Sequence, residues 1–174
     1  MTIGRTIRIR IKREARKGSS MFSLFTLFKF LHVAAVILWL GGVCTLTFLN
    51  FRLAREQDRT VLLALLQQSN FYGKAIIGPA MALTLAAGIA TAVNVGYNFG
   101  SLWITWGFTA IFASILLGVT LIRSVNGQLG KLAPVAAPGE PKLRALQQRL
   151  GALNLVNLIL LLSAVGAMVF KPTL

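Results

Sequence analysis

The chain has 174 residues, 56% of them hydrophobic, and a mean hydropathy of +0.73. Charged residues are 13%, about half the share of a soluble domain, which excludes an ordinary globular enzyme and a disordered chain. A net charge of +14 invites a nucleic-acid partner, but the basic residues sit at the ends and between apolar runs, where they set membrane orientation instead.

The first twenty residues, MTIGRTIRIRIKREARKGSS, form a basic extension holding seven of the eighteen Lys and Arg. Arginine alternates with isoleucine there, unlike the apolar run of a signal peptide. Residues 1–20 read either as a basic arm, disordered or lying on anionic lipid, or as the product of a start assigned upstream of the native one. Met21 directly precedes the first apolar run, so the membrane domain is expected over residues 21–174.

Four runs are long enough to cross a bilayer, since about 20 apolar residues at 1.5 Å rise span its hydrocarbon core. They are Leu27 to Leu49, Ala75 to Val95, Leu102 to Ile122 and Leu153 to Phe170. The sequence therefore predicts an all-α, four-helix transmembrane bundle of up-down topology with both termini on one side. In the first run, Lys29, His32, Val36, Trp39, Val43, Thr47 and Asn50 share a face about 80° wide. Lipid cannot satisfy a polar seam, so this face is expected to meet other helices. Cys44 is the only cysteine and lies off that face, where it reads as a small buried hydrophobe.

After the first run, Thr60 to Gln68 (TVLLALLQQ) is a good helix former, expected to extend the first helix or lie along the interface. The second span is expected to open at Gly78-Pro79, where proline is tolerated near a helix start. Gly78, Ala82, Ala86 and Ala90 recur every four residues and predict close approach of another helix; Ala110, Ser114 and Gly118 repeat the device in the third span. Tyr97, Trp103 and Trp106 read as interface aromatics. Gly127 to Pro141, with Pro134, Pro138 and Pro141, reads as an extended linker, and a helix is expected from Pro141 into the fourth span. ALLQQ before the second span and RALQQ before the fourth are a five-residue echo of two hairpins. Asn154 and Asn157 match Asn50 in depth, which predicts a hydrogen-bonded polar contact between spans one and four.

Orientation follows from Lys and Arg counted by side. Arg52, Arg55, Arg59, Lys74, Arg123, Lys131, Lys142, Arg144 and Arg149 share one side. From Met21 onward the other side has only Lys29 and Lys171, and only with the extension do the sides tie. Discounting the extension predicts termini outside and loops 51–74 and 123–152 in the cytoplasm.

His32, the only histidine, is the one candidate ligand. A buried imidazole can bind haem or a metal; the plainer reading is a helix-contact histidine bonded to a neighbouring Asn, Thr or carbonyl. Within one chain, axial ligation would combine His32 with a methionine, a lysine, water or nothing, whereas a symmetric homo-oligomer would offer two His32 side chains. Soft copper ligands are scattered singly, as Cys44, Met81 and Met168. No span contains Asp or Glu, and no hydrolase triad, phosphate loop or metalloprotease motif appears, so no catalytic residue is assigned.

Leu31-His32 followed by Trp39-Leu40-Gly41-Gly42 resembles the first helix of the copper-resistance protein D superfamily. Gly78-Pro79, Gly88 and Leu102-Trp103 follow in similar order, over roughly Met21 to Phe170. Within that superfamily the chain is most similar to four-span bacterial integral membrane proteins with no assigned function. The resemblance implies a multipass protein of the bacterial inner membrane. The wider group includes a membrane protoporphyrinogen oxidase with a haem-associated histidine in a comparable helix. Carried over, His32 becomes the candidate ligand, framed by Trp39, Gly41 and Gly42. A third implied role is copper handling with a periplasmic partner.

Overall fold

The structure, a computed structural model, describes residues 3–56, 58–137 and 139–172, with side chains from Leu24 onward. The side chains of the basic extension and the placement of Pro138 lie outside the described residues. Four long helices follow one another: α1 (Ile3–Leu53), α2 (Arg59–Val95), α3 (Leu102–Leu132) and α4 (Pro141–Phe170). Each contains a stretch long and apolar enough to cross a membrane, and no strand occurs among the described residues. Phe48 and Phe112 are 74% and 70% exposed, and the outward faces of all four helices are similarly apolar. Water would not tolerate that surface, whereas lipid requires it. Exposed threonines on this surface, Thr45 and Thr109, each donate to the carbonyl four residues back at 2.8 Å, so neither hydroxyl is left bare.

The connections are short and locally built. Asp58 Oδ1 accepts from the N–H groups of Thr60 and Val61 and starts α2. Gly96, at φ 71°, ends α2, with its N–H on the Val93 carbonyl and that of Tyr97 on the Ala92 carbonyl. Pro141 supplies the preset first turn of α4, as expected.

Two helices run beyond their expected spans. Thr60 to Gln68 extends the second helix, not the first. Residues 127–132, expected as linker, continue α3. At 1.5 Å per residue α2 is about 55 Å long, well over the 30 Å of a hydrocarbon core. Backbone of the basic extension continues α1 from Ile3 as helix. Gly78-Pro79 is not a helix start either: it lies inside α2, directly after a π turn, Gly73–Ile77. The Gly78 N–H bonds the Gly73 carbonyl there, and the wider turn accommodates the proline ring. A second π turn, Gly118–Ile122, sits at the corresponding border of α3.

α1 packs on α2 and on α4, and α3 packs on α4; α2 and α3 share no comparable interface although a tight turn joins them. The core is in two parts. At the loop end, Leu53, Leu62, Leu66, Val125, Leu129 and Leu150 form one cluster. In the spans, Trp39, Val43, Ala80, Ile111 and Leu161 form a smaller one. Gly42 lets α1 approach α2, since a Cβ there would lie 2.8 Å from the Ile77 side chain. The two small-residue stripes differ. Ala110 and Ser114 are buried towards α4, whereas Ala82 and Ala86 are exposed, and α2 buries Ala80, Thr84 and Ala87 instead.

Candidate functional site

The missing α2–α3 interface leaves a cleft of about 580 Å³ at the termini end, with walls from all four helices. This is within the range of ligand pockets, about 300–1,000 Å³. Its lining is mainly apolar and aromatic, including Val36, Ile104, Phe108, Ile111 and Met168. Trp39, 3% exposed, closes the floor together with Ile111 and Leu161, around a void of only about 20 Å³. The turn Gly96–Ser101 brings Tyr97 and Trp103 edge to face at 5.3 Å on the rim.

His32 stands in the wall, where α1 faces α2. Its Nδ1 lies 2.9 Å from the Thr84 carbonyl oxygen. A carbonyl only accepts, so Nδ1 carries the hydrogen of this bond, and Nε2 is the nitrogen that can offer a lone pair. Among the described residues Nε2 has no hydrogen-bond partner. A backbone carbonyl bonded to one ring nitrogen is the usual way that an imidazole is oriented to bind through the other. Thr84, 1% exposed, is itself fixed by its hydroxyl on the Ala80 carbonyl at 2.8 Å. Gly88, one turn on, makes room for the ring: a Cβ there would lie 3.0 Å from His32 Cε1 and 3.1 Å from Nδ1.

The polar face of the first span is thus divided between two places. Lys29 and His32 line the cleft and Trp39 floors it. Thr47 and Asn50 are buried nearer the loop end, Asn50 about 27 Å along the helix from His32. Asn154 and Asn157 are buried as well, but among the described residues neither is hydrogen-bonded to Asn50. The Asn154 amide donates to the Leu150 carbonyl of its own helix, and Asn157 accepts from the Ser114 hydroxyl of α3. A polar link between α1 and α4 is made outside the spans, by buried Gln147, whose amide donates to the Leu53 carbonyl at 3.1 Å and so caps α1. Gly42 is buried, as a packing glycine should be, while Gly41 faces outward.

Of the soft-ligand candidates, Met168 lines the cleft, Met81 packs beside the Trp39 cluster and Cys44 is half-buried outside the lining. Among the described residues no three His, Cys, Asp or Glu side chains come together. Sequence reading missed Thr84 as the partner of His32, and Ser114 and Gln147 as the partners that hold the spans. Gly88 entered only through the resemblance.

The family model of a predicted integral membrane protein, DUF2269, matches residues 26–172. The chain belongs to that family. The DUF2269 match takes in all four spans, His32 and Lys171, and leaves residues 1–25 outside. No curated protein and no solved structure matches the chain. The family description carries no ligand and no activity, so a role has to be argued from the cleft.

Proposed function

We propose that this protein binds haem in the cleft, where His32 Nε2 would hold it. The observation that carries the reading is an imidazole fixed through Nδ1 on the Thr84 carbonyl, with Nε2 unpartnered among the described residues at the wall of a largely apolar cavity. The donor set fits: haem needs one or two axial atoms, and an apolar, water-poor pocket supplies the rest. Bound there, haem would supply one-electron redox chemistry. The chain's own part is to hold and orient it: Thr84 sets the ring nitrogen, Gly88 the room for the ring, and Trp39 with Ile111 a dry floor. Met168 lines the same cleft and would be a further residue able to hold the haem; a second copy of the chain would be the other source. No residue is assigned a catalytic role.

The test is a visible spectrum of protein purified in mild detergent from haem-replete cells. A Soret band is expected, lost in His32→Ala. A colourless protein, or a band unchanged in the variant, overturns the reading.

Copper handling with a periplasmic partner is the lesser reading, because only His32 and Met168 of the soft candidates reach the cleft. An unchanged copper tolerance in a deletion strain removes it. The relation to the copper-resistance D group belongs to this same proposal, as does a bacterial inner-membrane location with termini outside and loops 51–74 and 123–152 cytoplasmic. The basic residues at the loop end support that orientation. A C-terminal alkaline phosphatase fusion should be active; an inactive fusion reverses it.

A further inference from the structure

The mouth of the cleft carries positive charge, and among the described residues no carboxylate lines it. Lys29 of α1 and Lys171 at the end of α4 both line it. The described carboxylates, Glu56, Asp58 and Glu140, all belong to the connections at the loop end. Lys171 is held in an unusual way. It ends α4 in the left-handed conformation, φ 44°, the only non-glycine residue with positive φ among those described. Its N–H bonds the Ala167 carbonyl at 3.0 Å. Glycine is the ordinary choice for that position, because a Cβ is disfavoured there. The lysine kept at this position has its Nζ 5.8 Å from the Tyr97 ring centroid and 5.5 Å from that of Trp103. Lys29 Nζ lies 5.8 Å from the Phe25 ring centroid. A lysine serving only to anchor a helix end at the interface needs neither the strained backbone nor a place on a cavity rim. An observed backbone outlier at a cavity rim is a reason to look for function.

We propose that the cleft selects amphiphiles with an anionic oxygen head group, such as a carboxylate, engaged by Lys29 and Lys171 while the hydrophobic body lies against Trp103, Phe108 and Ile111. This rests on the cleft being a ligand site, and it fixes which end of the ligand faces the termini. The ammonium groups gain charge-assisted hydrogen bonds to the head group.

Two pairs of probes test it on the purified full-length chain in detergent. One is haemin against its dimethyl ester, followed by the Soret band. The other is spin-labelled stearate against its methyl ester, followed by the immobilised fraction of the spectrum. The acid is expected to bind at least about tenfold more tightly than the ester in each pair. Lys29→Ala and Lys171→Gly should each cut that preference, and Lys171→Gly should keep or raise the melting temperature, because glycine accepts the left-handed position. Equal binding of acid and ester in both pairs overturns the proposal, as does an absence of binding by all four probes. Stearate preference without any Soret band removes haem but supports the head-group selection. A His32-dependent Soret band without acid preference in either pair keeps haem and removes the selection.

Discussion

At the loop end, Leu53, Val125, Leu129 and Leu150 are each 2% exposed or less, whereas at the termini end the same four helices part around a cleft of about 580 Å³. The difference lies in what each end is made of. The loop end is built from the parts of α2, α3 and α4 that run past their spans, with aliphatic side chains placed a turn apart: Leu62 and Leu66, Val125 and Leu129. Gln147 fastens the end of α1 to it. The termini end has a tight turn and bulky aromatic rings that hold α2 and α3 apart, and its polar side chains include one imidazole, two threonines, two lysines and the polar edges of Tyr97 and Trp103. Four rods clamped at one end can leave the other open without falling apart. On the proposed function, stability and ligand binding fall to opposite ends of one bundle.

Substitutions that separate stability from binding test this division. Leu129→Ala, at a fully buried site, should cost about 3 kcal/mol, read as a lower melting temperature in detergent, with haem binding by the folded fraction unchanged. If binding falls in step with stability, the two ends are not independent. Gly88→Ala should do the opposite. Its new Cβ meets the His32 ring and must displace it by a few tenths of an ångström, so haem affinity should drop about tenfold, or about 1.4 kcal/mol. Stability should hold or rise by up to about 1 kcal/mol through helix propensity. A melting temperature lowered as far as by Leu129→Ala would place the cleft in the load-carrying core. Asn157→Leu, which removes the acceptor of the Ser114 hydroxyl, should cost about 0.6 kcal/mol, with no effect on haem, since Ser114 can turn to its own helix.

The four spans are legible in the sequence because a run of about twenty apolar residues has few other uses. Their extensions are less so. Hydropathy falls where a helix leaves the membrane, so Thr60 to Gln68 reads as helix without showing which span it joins, and residues 127–132 look like linker unless the four-residue spacing of Val125 and Leu129 is followed. Pro79 reads as a start signal because only the π turn before it, invisible in composition, allows it mid-helix. The Ala82–Ala86 stripe misleads for another reason. A span apolar all round has no contrast between its lipid face and its helix face. His32 is different: polar and alone, it had to face inward. Its partner stayed hidden because the acceptor is the backbone carbonyl of Thr84, which no side-chain pattern reports.

Chemical rescue of His32→Gly decides most directly whether the Nε2 lone pair is what the cleft offers a ligand. Haemin added to the purified variant should bind weakly, and free imidazole should restore the wild-type Soret band by filling the space the ring has left. Haemin bound by His32→Gly as tightly as by the wild type, with imidazole making no difference, would contradict the assignment of His32.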